Sequence, residues 1–469
     1  MPRAHPGNCV GNRKLSKNRV SINAHGGSAG AGDTPTGRCL GAFGHRRFVI
    51  ANTAHRQEIT TMRSTCHTKK PVCLGVATAA LLGLIISPAW AETTVDFGGY
   101  VKMDAHFSDV TNRAANDRSE AFMIPALIPL DGQEDSRNVT RYSVRESRVN
   151  LRTQTPTGLG DLTTFLEVDF LEDAAIDRNR LVGNQPPRLR HAFGQLGNWL
   201  AGQTWGTFYN VTTKPETLDF VGPAGTVFNR NIQVRYTLPL EQGNSLMLAV
   251  EQPFTTLASE ATLGEADPGD AIRNARDDRW PEFVARYNVS GDWGHGSLAG
   301  VARNLRVDRS TSRELGADVD DDEWVGALSL TGVVKAGGRN DVRFQLNYGD
   351  GLGRYLGLNA FPDAFIDDQG NLDSLSIWGG YVSYRHWWNQ TLRSSLVYSL
   401  AKADNPSSAP ETANEQIQSV HLNLIYTPVQ NVDVGVEYIW AEREIEGEDA
   451  YGEDSGELNR VQVSAKYSF

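Results

Sequence analysis

The chain has 469 residues, 40% of them hydrophobic and 22% charged, with 46 glycines and a formal net charge of -11. At roughly 150 residues per domain this length suggests about three soluble domains, but the balance of apolar and charged residues excludes both a disordered polyelectrolyte and a helical membrane protein. The charge is unevenly divided, because residues 1–91 hold 12 Lys or Arg against two acids (+10) and the remaining 378 residues hold 33 basic against 54 acidic groups (-21). So acidic a body is a poor partner for nucleic acid, since it would bind phosphates against its own field. All four cysteines (Cys9, Cys39, Cys66, Cys73) fall in the basic stretch. The rest of the chain therefore has no Cys nucleophile or Cys-ligated metal, and suits an oxidising compartment.

In chain order, residues 1–61 are rich in Arg, Gly, Asn and His without sustained periodicity. They read as an over-extended gene start, or else as a disordered basic leader, ahead of an initiator at Met62. Arg63, Lys69 and Lys70 then precede an apolar run from Val72 to Ile86, followed by Ser87, Pro88 and Ala89-Trp90-Ala91. The run falls short of the roughly 20 residues that span a bilayer as a helix. A basic flank, an apolar centre and a small-x-small end make 62–91 a signal peptide, with a mature chain of 92–469 beginning at Glu92.

From residue 94 onward the apolar period is two. Val461, Val463, Ala465, Tyr467 and Phe469 share one face, while Arg460, Gln462, Ser464, Lys466 and Ser468 share the other. This alternation marks a strand with one apolar side and one side that hydrogen-bonds or carries charge. Strands are expected at 94–108, 142–154, 162–170, 188–197, 199–209, 231–239, 245–253 and 281–289. The second half adds 296–307, 323–335, 341–349, 374–386, 392–402, 417–427, 432–442 and 458–469, giving sixteen in all. Seven short connections rich in turn formers alternate with eight long polar ones. A soluble sandwich has no reason to sort its loops in this way, whereas a transmembrane barrel does, with short periplasmic turns and long external loops. A propeller or solenoid would show a fixed sequence repeat, and none is present. The expected fold is all-β, a sixteen-stranded antiparallel barrel in the bacterial outer membrane, with membrane lipid as its outer partner.

The segment Arg188–Phe208 (RLRHAFGQLGNWLAGQTWGTF), with Pro215-Glu216-Thr217-Leu218-Asp219-Phe220 and Gly222-Pro223 after it, resembles the DcaP-type trimeric outer-membrane porins. Gly99–Asp104 and Arg145–Asn150 fit the same pattern, and the resemblance covers residues 95–469. It implies a sixteen-stranded homotrimeric channel associated with uptake of dicarboxylates and other small anions. Tyr467-Ser468-Phe469 is similar to the signal by which outer-membrane proteins engage the barrel assembly machinery, through Phe469. Members of that family carry a periplasmic helical segment before the barrel, and here three residues separate the expected cleavage from the first strand.

If Val149, Leu151 and Thr153 face lipid, Arg148 and Arg152 face inward, and the same parity turns Arg188, Arg190, Arg235, Arg286, Arg343 and Arg460 to the lumen. A guanidinium facing lipid at mid-bilayer costs about 2 to 4 kcal/mol, so inward placement is close to forced. Arginines lining a water-filled constriction attract carboxylate or phosphate groups. Inward acids (Asp96, Asp104, Glu167, Asp169, Asp433, Glu437) leave a second reading open, in which the arginines form a balanced ladder that only polarises the pore.

The connection 210–230 contains Phe220, Val221, Val227 and Phe228, apolar residues that a solvated loop does not need. It is expected to fold into the barrel and narrow it, with Glu216 and Asp219 facing the arginines, or alternatively to pack at a subunit interface. The acids of 442–457 and 318–323 lack an EF-type spacing and read as solvated loop charge rather than a metal site, and the GDGLG at 349–353 is too weak a motif for a nucleotide site. A passive channel for small hydrophilic solutes, anions foremost, requires no cofactor or catalyst. The competing classes are a non-selective general porin, a plugged structural or adhesive barrel, and a barrel enzyme, for which the five histidines after residue 91 offer no recognisable catalytic motif.

Overall fold

The two-residue period controls which face each strand buries. In the computed structural model, which describes residues 92–110, 123–130, 137–171, 186–259, 273–275, 277–314, 318, 320–367, 369–448 and 452–469, Arg460, Gln462 and Ser464 are 1–3% exposed while Val461, Val463 and Tyr467 are 39–53% exposed. The same division runs around a closed antiparallel barrel of sixteen strands. They are β1 (Thr94–Val110), β2 in two runs (Arg137–Ser143 and Arg148–Thr157), β3 (Gly160–Asp169), β4 (Arg188–Leu196), β5 (Trp199–Trp205), β6 (Arg230–Pro239), β7 (Ser245–Glu251) and β8 (Glu282–Gly291). There follow β9 (Gly294–Val307), β10 (Asp321–Lys335), β11 (Asp341–Asp350), β12 (Ser376–Trp387), β13 (Leu392–Asp404), β14 (Asn414–Val429), β15 (Val432–Ile445) and β16 (Ser455–Ser468). The leader and signal segments fall outside the described residues.

Closure is made by β1 and β16, in register from Tyr100 opposite Ser468 to Val110 opposite Leu458. Phe469 continues the seam, exchanging backbone hydrogen bonds with Gly99 at 3.1 and 3.2 Å and stacking its ring 5.8 Å from Phe97. All seven short turns lie at the end of the barrel that holds this seam. Trp199, Trp293, Trp388 and Tyr467 are exposed on the outer surface near that end, and Trp280, Trp324, Tyr348 and Trp378 near the other. Two aromatic belts flanking an apolar band are what the two interfaces of a bilayer select.

β2 departs from the expected single strand. Its two runs both pair with β1 but are separated at Val144–Ser147. There the Ser147 hydroxyl replaces the missing ladder, accepting from Lys102 N at 3.0 Å and donating to Lys102 O at 3.2 Å. The interruption frees Glu146 to turn into the lumen, where it accepts from Tyr100 Oη at 2.7 Å and from Lys102 Nζ.

A larger departure concerns the long loops, which sequence composition marks as polar. Leu352, Tyr355, Leu356, Phe361 and Phe365 of the 351–375 loop are fully buried. They form one apolar cluster with Met123 and Ile128 from the 111–136 connection, Phe208, Tyr209 and Val227 from 206–229, and the inward wall residues Ile377, Ile417 and Ile439. A second, four-stranded sheet ties loops together, its strands Thr256–Ala258 and Ala364–Ile366 running parallel. Arg303 on β9 clamps this layer, pairing with Asp363 at 2.7 Å and Glu282 at 2.9 Å. The loops thus fill the lumen against β9–β15 with a hydrophobic core, which explains why those strands carry apolar residues on both faces.

Candidate functional site

The chain leaves β5 at Trp205 and turns inward rather than continuing the strand to 209. Loop 3 (206–229) then crosses the barrel on inward polar side chains, which replace the partners its backbone would otherwise lack. Asn210 Nδ2 donates to Ser297 Oγ at 2.9 Å and Thr331 Oγ1 at 3.1 Å. At the tip, the amides of Leu218 and Asp219 both donate to the Glu437 carboxylate, at 2.8 and 3.0 Å. On the return, Ala224 N donates to Ser419 Oγ, Gly225 N to Ser399 Oγ and Val227 N to Gln345 Oε1, at 2.8–3.0 Å. Gly225 is required here, since a Cβ would lie 2.3 Å from Leu400 O.

Between this loop and the wall formed by β2–β5 lies a cavity of about 600 Å³. Its lining includes the cations Arg148, Arg152, Arg190 and Lys214, the carboxylates Glu146, Glu167 and Asp219, and the rings of Phe220, Phe228 and Trp205. Phe220 and Phe228 meet edge to face at 5.5 Å, and Phe228 meets Trp205 at 5.2 Å. The guanidinium carbons of Arg148, Arg188 and Arg190 stand 5.9, 5.7 and 5.4 Å from the centre of the Phe220 ring. One phenyl ring thus separates three like charges, whose attraction to its face offsets part of their repulsion.

The eight arginines singled out by parity do not act together. Arg188 makes a bidentate pair with Asp169 (2.9 and 2.8 Å), and Arg190 pairs with Glu167 at 2.7 Å and Asp169 at 2.9 Å. Arg148 is held more loosely, 3.5 Å from Glu167 and 3.8 Å from Glu146, with its guanidinium over Tyr100. Arg152 is exposed and has no ion pair among the described residues. These four belong to the cavity region and the others do not. Arg235 donates only to Gln233, at 3.5 Å. Arg286 anchors loop 3 through the carbonyls of Thr207 and Tyr209, at 3.1 and 2.7 Å. Arg343 pairs with Asp341 and donates to the Lys214 carbonyl at 2.7 Å, and Arg460 donates to Ser108 Oγ at 2.8 Å.

The loop acids also differ from expectation. Glu216 faces arginines outside the expected set, Arg393 at 2.8 Å and Arg385 at 3.5 Å. Among the described residues, Asp219 faces no arginine through an ion pair. Its carboxylate caps the loop from within, accepting from the amides of Met123, Val221 and Gly222 at 2.8–3.1 Å. Lys214 and Arg230 escaped the sequence reading. Lys214 lies in a loop, where periodicity assigns no face, and Arg230 sits at the first residue of its strand. Arg385 was legible in principle, since it shares parity with the inward Ser383.

A family model described as DcaP outer membrane protein matches residues 86–469. The chain belongs to the DcaP outer membrane protein family. The outer membrane channel DcaP of Acinetobacter baumannii is similar at 25% identity, with a TM-score of 0.66 over 80% of this chain and 97% of that chain. The anion-selective porin from Comamonas acidovorans shares the fold at 14% identity, with a TM-score of 0.50 over 81% of this chain and 100% of that chain. No curated protein matches the sequence. Membership of the DcaP family, with this barrel, places the protein in the outer membrane as a porin-type channel.

Proposed function

We propose that this DcaP-family barrel is a passive diffusion channel for small hydrophilic anions, dicarboxylates among them, which pass along the β2–β5 wall. The observation that carries the reading is the charge of the cavity. Four cations line it against three carboxylates, and Arg188 and Arg230 adjoin it with the carboxylate of Asp169. The excess of positive charge lies inside a protein whose body is net acidic, so it acts at short range on solutes already in the lumen. In the same reading the barrel sits in outer-membrane lipid, is inserted by the assembly machinery through Phe469, and assembles as a homotrimer.

A plugged barrel is the second reading, favoured by the apolar cluster that loops build in the lumen. Reconstitution in planar bilayers separates the two. An open channel whose zero-current potential in a KCl gradient has the anionic sign is expected; no conductance, or cation preference, defeats the proposal. Arg152→Ala is expected to reduce anion preference more than Arg235→Ala, because Arg152 lines the cavity, with no ion pair among the described residues, and Arg235 does not line it.

A further inference from the structure

The cations around the cavity differ in whether the protein supplies their counter-charge. Arg188 and Arg190 are matched by Asp169 and Glu167. Lys214 is not, since no carboxylate lies within ion-pair distance of it among the described residues. Its ammonium donates to Phe220 O at 2.7 Å and stands 5.3 Å from the Phe228 ring centre and 6.0 Å from that of Phe220. An ammonium has three N–H donors, so two are left for the cavity that Lys214 lines. Its backbone is fixed, because Arg343 on β11 holds the Lys214 carbonyl.

The charged groups around Lys214 come from three elements. Arg148 and Glu146 belong to β2 and its interruption, Arg190 to β4, and Asp219 to loop 3 itself. Burial lowers the Lys214 ammonium from its ordinary 10.5 to about 8; Glu146 and Asp219 oppose the shift, and Arg148 and Arg190 add to it. An amine held in such a place by a carbonyl but without a counter-ion is an incomplete ion pair.

We propose that the permeating solute completes it: Lys214 is the residue that binds the solute's carboxylate, and the paired arginines supply the surrounding field. This deepens the anion-channel reading and rests on it. Lys214 is then a specificity-determining residue on the constriction loop, and the preference for anions falls as pH rises through the range in which the amine loses its proton.

The test uses the full mature porin in planar bilayers, as wild type, Lys214→Gln and Lys214→Arg, at about pH 7 and about pH 9.5, either side of the amine's titration. Wild type is expected to lose anion-over-cation preference about tenfold at the higher pH, since removing one charge ~6 Å away in a water-like medium lowers the anion's Boltzmann factor about threefold and raises the cation's by as much. Lys214→Gln should show the reduced preference at both pH values, and Lys214→Arg the full preference at both, since a guanidinium stays charged. Block of the current by succinate at about pH 7 should weaken about tenfold in Lys214→Gln, as expected for loss of a charge-assisted hydrogen bond. If wild type is anion-selective but Lys214→Gln matches it in both preference and block, Lys214 is not the binding residue and the channel reading stands. A cation-selective wild type overturns the channel reading itself. Should Lys214→Gln give no channels, Lys214→Arg decides alone: a loss of preference at high pH equal to that of wild type overturns the proposal.

Discussion

Individual residues in this barrel are committed to two kinds of work, and their partners tell which. Asp363 is fully buried and accepts from Thr256 N and Oγ1 at 3.0 Å while pairing with Arg303 at 2.7 Å. Removing it leaves Arg303 with Glu282 as its one carboxylate among the described residues and frees the Thr256 amide, so Asp363→Ala is expected to destabilise the 252–281 and 351–375 loops by about 3 to 5 kcal/mol, the usual cost of breaking a buried pair from one side. Limited proteolysis of the purified porin checks this, with new cleavage expected in those loops while the strands stay resistant. Two of the cavity cations are different. Among the described residues Arg152 and Lys214 have no ion pair with a carboxylate, so truncating them should change ion preference with little effect on stability.

At the level of elements, loop 3 is the piece on which passage depends in the proposed channel. Its return limb lies against β13 at a distance that only glycine permits, with Gly225 N 2.8 Å from Ser399 Oγ. Gly225→Val is therefore expected to lift this limb from the wall and change single-channel conductance, while the β1–β16 seam and the heat-resistant gel mobility of the barrel persist. Conductance identical to wild type would show that the loop's position does not control flow. The Glu437 carboxylate plays a similar part at the tip, receiving two loop amides together with Asn423 Nδ2 at 3.0 Å. Glu437→Gln trades one acceptor oxygen for a donor and should loosen the tip, read as added current noise.

For the whole molecule, the lumen is divided rather than uniform. Loops fill the β9–β15 side with an apolar core, where the inward Arg303, Arg343, Arg385 and Arg393 are paired with carboxylates, and the cavity with its cations lies on the β2–β5 side with loop 3 between. A solute drawn to positive charge is thereby confined to one wall, where it meets fixed donors instead of bulk water. In the proposed view residues 62–91 are an export signal, and 1–61 an over-extended gene start or a disordered basic leader ahead of it. Mass spectrometry of protein recovered from outer membranes is expected to find an N-terminus at Glu92, and a chain retaining residues upstream of Met62 would contradict the signal-peptide reading.

The sequence by itself determined the barrel. Strand parity, the alternation of short and long connections and the even strand count depend on local periods and turn chemistry, and each survives in the structure except where β2 breaks. The inward turning of the arginines was equally local, because lipid admits no alternative. What the arginines touch was not. Whether Arg190 meets Asp169 or a solute, why Glu216 meets Arg393, and where Lys214 points are set by a loop that crosses the lumen and contacts strands up to about 200 residues away in sequence. No periodicity reaches across such a span. Only tertiary packing decided which cations are already paired and which, like Arg152 and Lys214, are not.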